Sequence, residues 1–309
     1  MRLRVGLVGI GKIARDQHIP SLRANPSFEL VACASRHATV DGVANFPDLE
    51  AMLAAIPDLH CISICTPPQA HFDAVLTSLR AGKHVMLEKP PTATTRQIAL
   101  LADEAARLGR TLFQTWHSRF AAGVDAAREF LRTRQLVSGR IVWKEDVYQW
   151  HPGQRWIWEP GGFGVFDPGI NALSLLTEIL PQDVCVEAAL LEFPENQQSP
   201  IAANVRMRTV SGVHIGAEFD FRQKGEQSWD IELTTTTGKL KLAGGGADLS
   251  IDGKSITHDA SMAGEYPRLY QRFASLCDAG KSEVDWRPFQ LVADAFLIGE
   301  RRIVAPHEI

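Results

Sequence analysis

The sequence contains no apolar run that approaches the ~20 residues a membrane-spanning helix needs. It also lacks a basic excess, because its formal net charge is −4, and this argues against nucleic acid or an anionic membrane as a partner. The amino-terminal stretch MRLRVGLVGIGK passes quickly from apolar residues to glycines and charges, which is typical of a strand and not of a signal peptide. We expect a soluble globular protein of two domains from its 309 residues, of which 45% are hydrophobic.

Cysteine is scarce, with five residues in the chain. Cys33, Cys61 and Cys65 lie in apolar runs that are predicted strands, so we expect buried thiols. No group of histidine, cysteine and aspartate residues has the spacing of metal ligands, and no metal is predicted. Without a signal peptide, a reducing cytoplasm is the expected location.

The first third of the chain alternates apolar strands with amphipathic helices. The predicted strands are LRVGLVG, FELVACAS, CISICTPP, HVMLEKP and TLFQTWHS. Near-continuous apolar strands between helices indicate a parallel, doubly wound sheet that helices cover on both faces. Residues 1–118 are therefore predicted to form an α/β domain of the dinucleotide-binding, Rossmann type.

The pattern changes after residue 118. IVWKEDVYQW is predicted to be a long strand, and PGINALSLLTEIL is predicted to be a helix. From Val184 onward strand patterns dominate, with predicted hairpin turns at Thr237-Gly238 and Asp252-Gly253. We therefore predict that residues 119–309 form an α+β domain with an open, mainly antiparallel sheet.

A glycine-rich turn lies close to the amino terminus, in GLVGIGKIARDQH. Its G-x-G-x-x-A pattern is formed by Gly9, Gly11 and Ala14, and it follows an apolar strand and opens a helix, as in a dinucleotide-binding βαβ unit. Gly9 would permit the tight turn, and Gly11 would let the backbone approach a pyrophosphate. Lys12 and Ile13 are expected to belong to the same cofactor site. The alternative is a glycine-rich turn in a fold that binds no nucleotide.

The second strand–helix junction bears on which cofactor is bound. A site that prefers NAD usually carries an acidic residue ~20 residues further on, for the ribose 2′-hydroxyl. This chain has Ser35, Arg36 and His37 there and no acid. Because Arg36 and the Ser35 hydroxyl could bind a 2′-phosphate, we predict that NADP is preferred and that NAD is tolerated. The alternative is that Arg36 is a solvated surface residue that stacks on adenine.

Glu88-Lys89-Pro90 lies at the carboxyl end of a predicted strand, the edge of the sheet where ligands bind in such folds. A lysine in this place can donate a hydrogen bond to a substrate hydroxyl and stabilise developing negative charge. Taken alone, a Glu-Lys-Pro sequence is more typical of a surface ion pair.

Four motifs together resemble the Gfo/Idh/MocA oxidoreductase family: the glycine-rich turn, CTPPQAH at 65–71, AGKHVMLEKP at 81–90 and GGFGVFDPGIN at 161–171. The resemblance covers the whole chain. It implies a Rossmann domain, a second domain on an open sheet, and oxidation or reduction of carbohydrates or polyols with a nicotinamide cofactor. It further implies that Lys89 lies at the catalytic centre, and that Thr66, Pro67, His71 and Glu88 line the cofactor site.

The last motif departs from the family pattern, because many members have histidine where this chain has Asn171. Asp167 is kept and becomes the predicted general base, while Asn171 would orient the substrate or the base through its amide. An aspartate suits an acidic hydroxyl such as an anomeric O1–H, which favours oxidation of an aldose at C1 to a lactone. Asp167-Pro168 also fits a helix N-cap followed by proline, a purely structural alternative.

Three further blocks are similar to the bacterial members of that family that oxidise L-arabinose or D-galactose at C1: TWHSR (115–119), WKEDVYQWHPGQRWIWEPGG (143–162) and FDPGINALS (166–174). The resemblance implies one or both sugars as substrate. Aromatic faces suit the apolar side of a pyranose, and polar groups suit its hydroxyls. The predicted substrate-binding residues are Lys89, His117, Glu145, Trp150, His151, Asp167, Asn171 and Trp229. The tryptophans could instead belong to the core or to an interface.

Several alternatives stay open at this point. The chain could act on another sugar or polyol, or it could be a nucleotide-sensing regulator without turnover. The predicted sheet could expose an apolar face, and since the family commonly pairs such faces, a homodimer or larger homo-oligomer is expected. The remaining histidines are predicted to be structural: His18, His60, His84, His214, His258 and His307.

Overall fold

The structure, a computed structural model, describes residues 2–257 and 264–308. The chain forms two units, Met1–His117 with Ala263–Trp286, and Ser118–Met262 with Arg287–Ile309. The predicted division at residue 118 agrees within one residue, but the prediction that all of 119–309 forms one domain is wrong, because a late segment returns to the first unit. His258, predicted to be structural, lies outside the described residues.

The first unit is built on six strands, which are β1 Leu3–Val8, β2 Phe28–Ala34, β3 Ala44–Phe46, β4 Cys61–Ile64, β5 His84–Leu87 and β6 Leu112–Gln114. They pair in the order β3-β2-β1-β4-β5-β6, all in parallel. Every residue of β4 is buried, as a strand covered on both faces requires. The predicted parallel, doubly wound sheet is confirmed. Two details differ: β3 is not among the predicted strands, and β6 ends at Gln114, before His117.

Helices cover this sheet, namely a π-helical turn Ala14–His18 that continues into α1 Ile19–Ala24, then α2 Leu49–Ala55, α3 His71–Arg80, α4 Thr95–Leu108 and the late helix α8 Glu265–Ala279. The ends of α4 were predictable, since Gly109 ends it in the left-handed conformation with φ 61° and a Thr94–Gln97 capping box begins it. Helix α8 buries one stripe of its surface. Tyr266, Tyr270 and Phe273 are buried on that stripe, and Phe273 stacks on Phe28 at 5.9 Å between ring centroids.

The second unit contains nine strands, which are β7 Leu136–Lys144, β8 Val184–Pro194, β9 Ala202–Thr209, β10 His214–Asp220, β11 Ser228–Thr235, β12 Gly238–Ala243, β13 Asp248–Ile251, β14 Lys254–Ile256 and β15 Glu300–Val304. Their order is β14-β13-β12-β11-β7-β10-β9-β8-β15. The pairs β7–β10 and β8–β15 are parallel and the others antiparallel, so the predicted open, mainly antiparallel sheet is confirmed. The turn at Asp252-Gly253 is confirmed, whereas the β11–β12 turn lies at Thr236-Thr237, one residue before its predicted place.

Among the described residues of this unit, the α-helices are α5 Val124–Leu131, α6 Val147–Trp150, α7 Phe166–Ile179 and α9 Arg287–Ile298. Helix α7 is buried over nearly its whole length and packs on β7 and β11. Gly169 permits close approach to β10 as well, because a Cβ there would lie 2.7 Å from the Phe219 ring. Among the helices of the described residues, none combines the length and the apolar character that crossing a membrane would require.

The predicted long strand IVWKEDVYQW is wrong in its second half. The strand ends at Lys144, and α6 begins after Asp146, whose carboxylate accepts a hydrogen bond from the Tyr148 N–H at 3.0 Å. This is an ordinary N-cap, which the apolar–polar alternation of the segment concealed. The break turns the chain away from the sheet just before His151.

The face of the nine-stranded sheet that the helices leave open carries ion pairs instead of the expected apolar surface. Glu218 on β10 binds Arg140 and Lys144 of β7, each at 2.8 Å. Lys241 on β12 binds Asp230 of β11 at 2.7 Å. These positions of the face are therefore charged, where the sequence alone left an apolar face possible.

Candidate active site

The glycine-rich turn follows β1 and packs against Cys65 and Thr66, which directly follow β4. Gly9 has φ 87°, and a Cβ at this position would lie 2.8 Å from the backbone nitrogen of Thr66, so only glycine fits. A Cβ at Gly11 would meet nothing within 4 Å, which leaves the backbone there open to a ligand. Both features fit the dinucleotide cradle that the sequence predicts. Lys12, beside Gly11, forms an ion pair with Asp16, and Ile13 is exposed.

The junction after β2 presents the predicted 2′-phosphate residues. Arg36 and His37 are exposed, and Ser35 is half-buried. The Ser35 N–H is tied to the carbonyl of Phe46 at 3.0 Å, which fixes the turn that carries these side chains. The structure thus leaves the Arg36 guanidinium accessible at the carboxyl edge of the sheet.

His71 does not line an open surface, contrary to its predicted role in the cofactor site. Its side chain is fully buried, with Nδ1 3.0 Å from the carbonyl oxygen of Pro90 and Nε2 2.5 Å from that of Thr66. Burial is the main cause that lowers the pKa of His71. We assign it instead to holding the Thr66-Pro67 turn against the Lys89-Pro90-Pro91 segment. Thr66 is half-buried and Pro67 is exposed beside Gly9, as a cofactor-lining turn requires.

Glu88 is likewise predicted to contact the cofactor, but its carboxylate is buried and has three protein donors. Oε1 lies 3.0 Å from His18 Nε2 and accepts from the Tyr266 hydroxyl at 2.9 Å. Oε2 accepts from the Lys89 N–H at 2.8 Å. Burial opposes ionisation of Glu88, but the hydrogen bond and the charge of His18 outweigh it and lower the pKa to about 2. Glu88 is therefore an internal anion that fixes the backbone of Lys89.

His18 is the cationic partner, although sequence reasoning treated it as an ordinary structural histidine. Burial disfavours its charge, yet Cys65, Tyr270 and Glu88 raise the pKa of His18 well above its usual value. Its Nδ1 lies 2.8 Å from the Tyr270 hydroxyl. The π-helical turn that ends at His18 directs the ring inward, and such turns are frequent near functional sites.

Lys89 and His117 lie after the neighbouring strands β5 and β6, whereas the sequence placed His117 at the end of the last strand. Lys89 is partly exposed directly after β5. The His117 Nδ1 lies 2.6 Å from a carboxylate oxygen of Glu265, and its ring stacks on Tyr266. The two tyrosines and Glu265 of α8 escaped sequence reasoning. Their only signal was the spacing of Tyr266 and Tyr270, four residues apart on one helical face.

In the second unit, Glu145 is the centre of a separate cluster. This residue follows β7 and is buried. Its Oε1 lies 2.7 Å from His151 Nε2, and its Oε2 accepts from the Trp229 indole N–H at 2.9 Å. Because both oxygens are engaged, the predicted direct contact of Glu145 with a sugar is revised to a role in holding His151 and Trp229.

Asp167 and Asn171 lie in the first turns of α7, four residues apart. Val165 is the N-cap and Asp167 lies inside the helix, so the alternative that Asp167 caps α7 is wrong. Its Oδ2 lies 3.6 Å from His151 Nδ1. Asn171 is buried, and its Oδ1 has no hydrogen-bond partner among the described residues. Such an acceptor fits a ligand hydroxyl.

The aromatic residues separate into two groups. Trp150 packs edge-on against Trp229 with ring centroids 5.0 Å apart, and Trp150 is 37% exposed. Trp158 is buried against Phe221, so the core alternative holds for it. The structure therefore brings together Glu145, Trp150, His151, Asp167, Asn171 and Trp229 within the second unit.

Comparison with known proteins shows which proteins this chain is similar to. Residues 3–115 match the model of an oxidoreductase family with an NAD-binding Rossmann fold. The chain is 46% identical to galactose 1-dehydrogenase of Pseudomonas fluorescens over 97% of this chain and 96% of that protein. It is 50% identical to the crystal structure of a D-galactose-1-dehydrogenase protein from Rhizobium etli, with TM-score 0.94 and coverage of 99% and 98% of the two chains. A 3-ketoreductase from Actinomadura kijaniata in complex with NADP and TDP-benzene shares the fold at 20% identity, with TM-score 0.83 over 98% and 100% of the chains.

Replacing Glu88 by glutamine is expected to destabilise the first unit most between pH ~4.5 and ~6.5. The lowered pKa of Glu88 stabilises the fold above pH ~4.5, and the raised pKa of His18 stabilises it below pH ~6.5, so both contributions are complete only in this window. Loss of one partner of a buried pair typically costs about 3–5 kcal/mol. Urea unfolding of wild type and Glu88→Gln at pH 5.5 and pH 9 measures the difference in the free energy of unfolding, which we expect to be larger at pH 5.5.

The control is Glu129→Gln, which removes a carboxylate from an exposed pair with Arg132 and should leave this pH dependence unchanged. If Glu88→Gln lowered the free energy of unfolding equally at both pH values, the result would contradict the ion-pair assignment.

Proposed function

The chain belongs to the Gfo/Idh/MocA oxidoreductase family, and we propose that it is an aldose 1-dehydrogenase that oxidises C1 of D-galactose or L-arabinose to the lactone. The observation that carries the proposal is the cluster in the second unit. A tryptophan pair, a buried amide acceptor and the carboxylate of Asp167 lie together in a chain whose relatives include galactose 1-dehydrogenases. The two sugars share the configuration of their ring hydroxyls, so one site could accept both.

We assign the proton chemistry to Asp167. A carboxylate is a weak base, and it is matched to the relatively acidic anomeric hydroxyl better than to an ordinary alcohol. Asn171 offers Oδ1 to a sugar hydroxyl, and the Trp150–Trp229 pair offers aromatic surface to the pyranose. Lys89 is assigned the hydrogen bond that stabilises negative charge on the reacting oxygen, and His117 a hydrogen bond to a sugar hydroxyl.

The cofactor is proposed to be NADP, with NAD accepted. When bound, it supplies the hydride acceptor at its nicotinamide ring. Gly9 would permit the tight turn, and Gly11, where a Cβ would meet nothing within 4 Å, would let the pyrophosphate approach the backbone. The remaining residues assigned to its site are Lys12, Ile13, Ser35, Arg36, His37, Thr66 and Pro67. The homo-oligomeric state and the cytoplasmic location stay predictions.

The first test is cofactor reduction at 340 nm by the purified chain with NADP or NAD and a panel of aldoses. We expect turnover with D-galactose and L-arabinose, and little with D-glucose or D-xylose, because a pocket built around one hydroxyl configuration leaves buried polar groups unmatched by its epimer. Turnover with none of these aldoses, despite measurable cofactor binding, would contradict the proposal in favour of another polyol or of a nucleotide-sensing regulator.

Replacing Arg36 by aspartate is expected to shift the preference from NADP toward NAD by at least tenfold in the ratio of kcat/KM. The variant removes a charge-assisted hydrogen bond worth about 1.5–3 kcal/mol and adds a charge that repels the 2′-phosphate. Lys254→Asp, on the exposed strand β14, is the control for the same change in net charge. An unchanged ratio in Arg36→Asp would support the alternative that Arg36 is a surface residue without a phosphate contact.

A further inference from the structure

Three titratable side chains form a continuous row in the second unit. Glu145 Oε1 lies 2.7 Å from His151 Nε2, and His151 Nδ1 lies 3.6 Å from Asp167 Oδ2. The exposed fractions of these side chains are 5%, 12% and 4% in that order. An imidazole is thus held between two carboxylates, one of which is the proposed general base.

The Glu145 carboxylate is held in place, and it determines which nitrogen of the His151 ring carries a proton. Glu145 is anchored through its other oxygen by the Trp229 indole N–H, so it cannot turn away from His151. A contact of 2.7 Å to a carboxylate places a proton on Nε2. In the neutral ring, Nδ1 then carries the lone pair and faces Asp167.

Gln154 lets Nδ1 change its protonation state. Its Oε1 lies 3.3 Å from Nδ1. An amide has both an accepting oxygen and a donating NH2 group, and rotation about its last torsion presents either of them. The ring can therefore gain or lose the Nδ1 proton without leaving a buried polar group unsatisfied.

We propose that His151 is the relay residue that receives, through Asp167, the proton lost by the anomeric hydroxyl, and that Glu145 is its positioning residue. This inference rests on the proposed function. The O1–H bond breaks as an O–H bond forms at Asp167 Oδ2, and that bond breaks in turn as an N–H bond forms at His151 Nδ1. The imidazolium then lies between two carboxylates, and its proton leaves to solvent from the partly exposed ring. Asp167 is restored as a carboxylate before the next turnover.

The direction of the transfer follows from ordinary acid–base chemistry. A reference imidazole, with pKa about 6.5, holds a proton about 400-fold more tightly than a reference aspartic acid side chain, with pKa about 3.9. Two flanking carboxylates favour the imidazolium further. Asn171, the neighbour of Asp167 on α7, is an amide and cannot take the proton. The 3.6 Å separation is longer than a hydrogen bond, and catalytic hydrogen bonds commonly tighten to working length only in the substrate complex.

Other charged groups near the ring have partners of their own. Among the elements packed on His151, the segment after β10 contributes the Phe221 ring, at 5.4 Å between centroids. The adjacent Arg222 is paired with Asp220, and Lys224 is paired with Asp146. The two carboxylates of the row, Glu145 and Asp167, both face the ring.

The test is the pH dependence of kcat and KM for the better aldose in wild type and His151→Gln. We expect kcat to fall about 10²-fold, the contribution of a positioned acid–base group, while KM changes less than about threefold. The acidic limb of the kcat profile should move to lower pH by more than about one pH unit, since the imidazole no longer shares the proton. His214→Gln, on the open sheet face, is the matched control and should change neither parameter.

A rise in KM with unchanged kcat would overturn the proposal, since it would make His151 a sugar-binding residue. An acidic limb of the kcat profile that stays at the wild-type pH in His151→Gln would also overturn the proposal. If His151→Gln does not fold, Glu145→Gln is the second variant, because it keeps the ring and removes the flanking charge. We expect it also to move the acidic limb of the kcat profile to lower pH. An acidic limb that stays in place in Glu145→Gln would equally contradict the relay.

A measurement without turnover separates this inference from the proposed function. Histidine-selective 15N NMR should show Nε2 protonated in the neutral His151 ring, and the midpoint of the ring titration should fall by about one pH unit in Asp167→Asn. An unshifted midpoint would overturn the relay even in an active enzyme. Absence of aldose turnover in wild type with a shifted midpoint would overturn the substrate assignment and leave the Asp167–His151 coupling in place.

Discussion

The buried ion pair between Glu88 and His18 is the interaction on which the nucleotide-binding unit depends. A carboxylate inside a folded domain is tolerated only when donors surround it. Here the donors come from three segments far apart in the chain: His18 after the glycine-rich turn, Tyr266 on the late helix α8, and the Lys89 backbone. Satisfying one charge therefore fixes the first helix, the returning helix and the proposed catalytic lysine together.

The second unit also contains a buried carboxylate that is surrounded by donors. Glu145 is buried where β7 ends, and its donors are the rings of His151 and Trp229. The short helix α6 turns the chain so that His151 reaches back to the strand from which it departed. In both units an internal anion positions the neighbouring groups that we assign to catalysis or to sugar binding. Removal of either carboxylate is therefore expected to displace these groups, even if the carboxylate itself does not contact the substrate.

Much of this architecture could be predicted from the sequence, because it is encoded locally. Apolar strands, the Gly9 turn and the cap at Gly109 each depend on a few adjacent residues, and the predicted sheets agree with those of the structure. What sequence reasoning missed depends on contacts between distant segments. Nothing near His18 distinguishes it from a core histidine, and nothing in the sequence of α8 says that it returns to the first unit. Glu88 and Glu145 were recognised as important but assigned to ligands, since burial cannot be inferred from a carboxylate that follows a strand.

The central claim is that the carbon oxidised is C1 of an aldose. Its most direct test is the fate of deuterium from [1-²H]-D-galactose and [1-²H]-L-arabinose during cofactor reduction, followed by NMR of both products. The account predicts that the label appears on the reduced nicotinamide ring and is lost from a lactone product. Reduction of the cofactor with the label retained on the sugar would contradict it, because another carbon would then be the hydride donor.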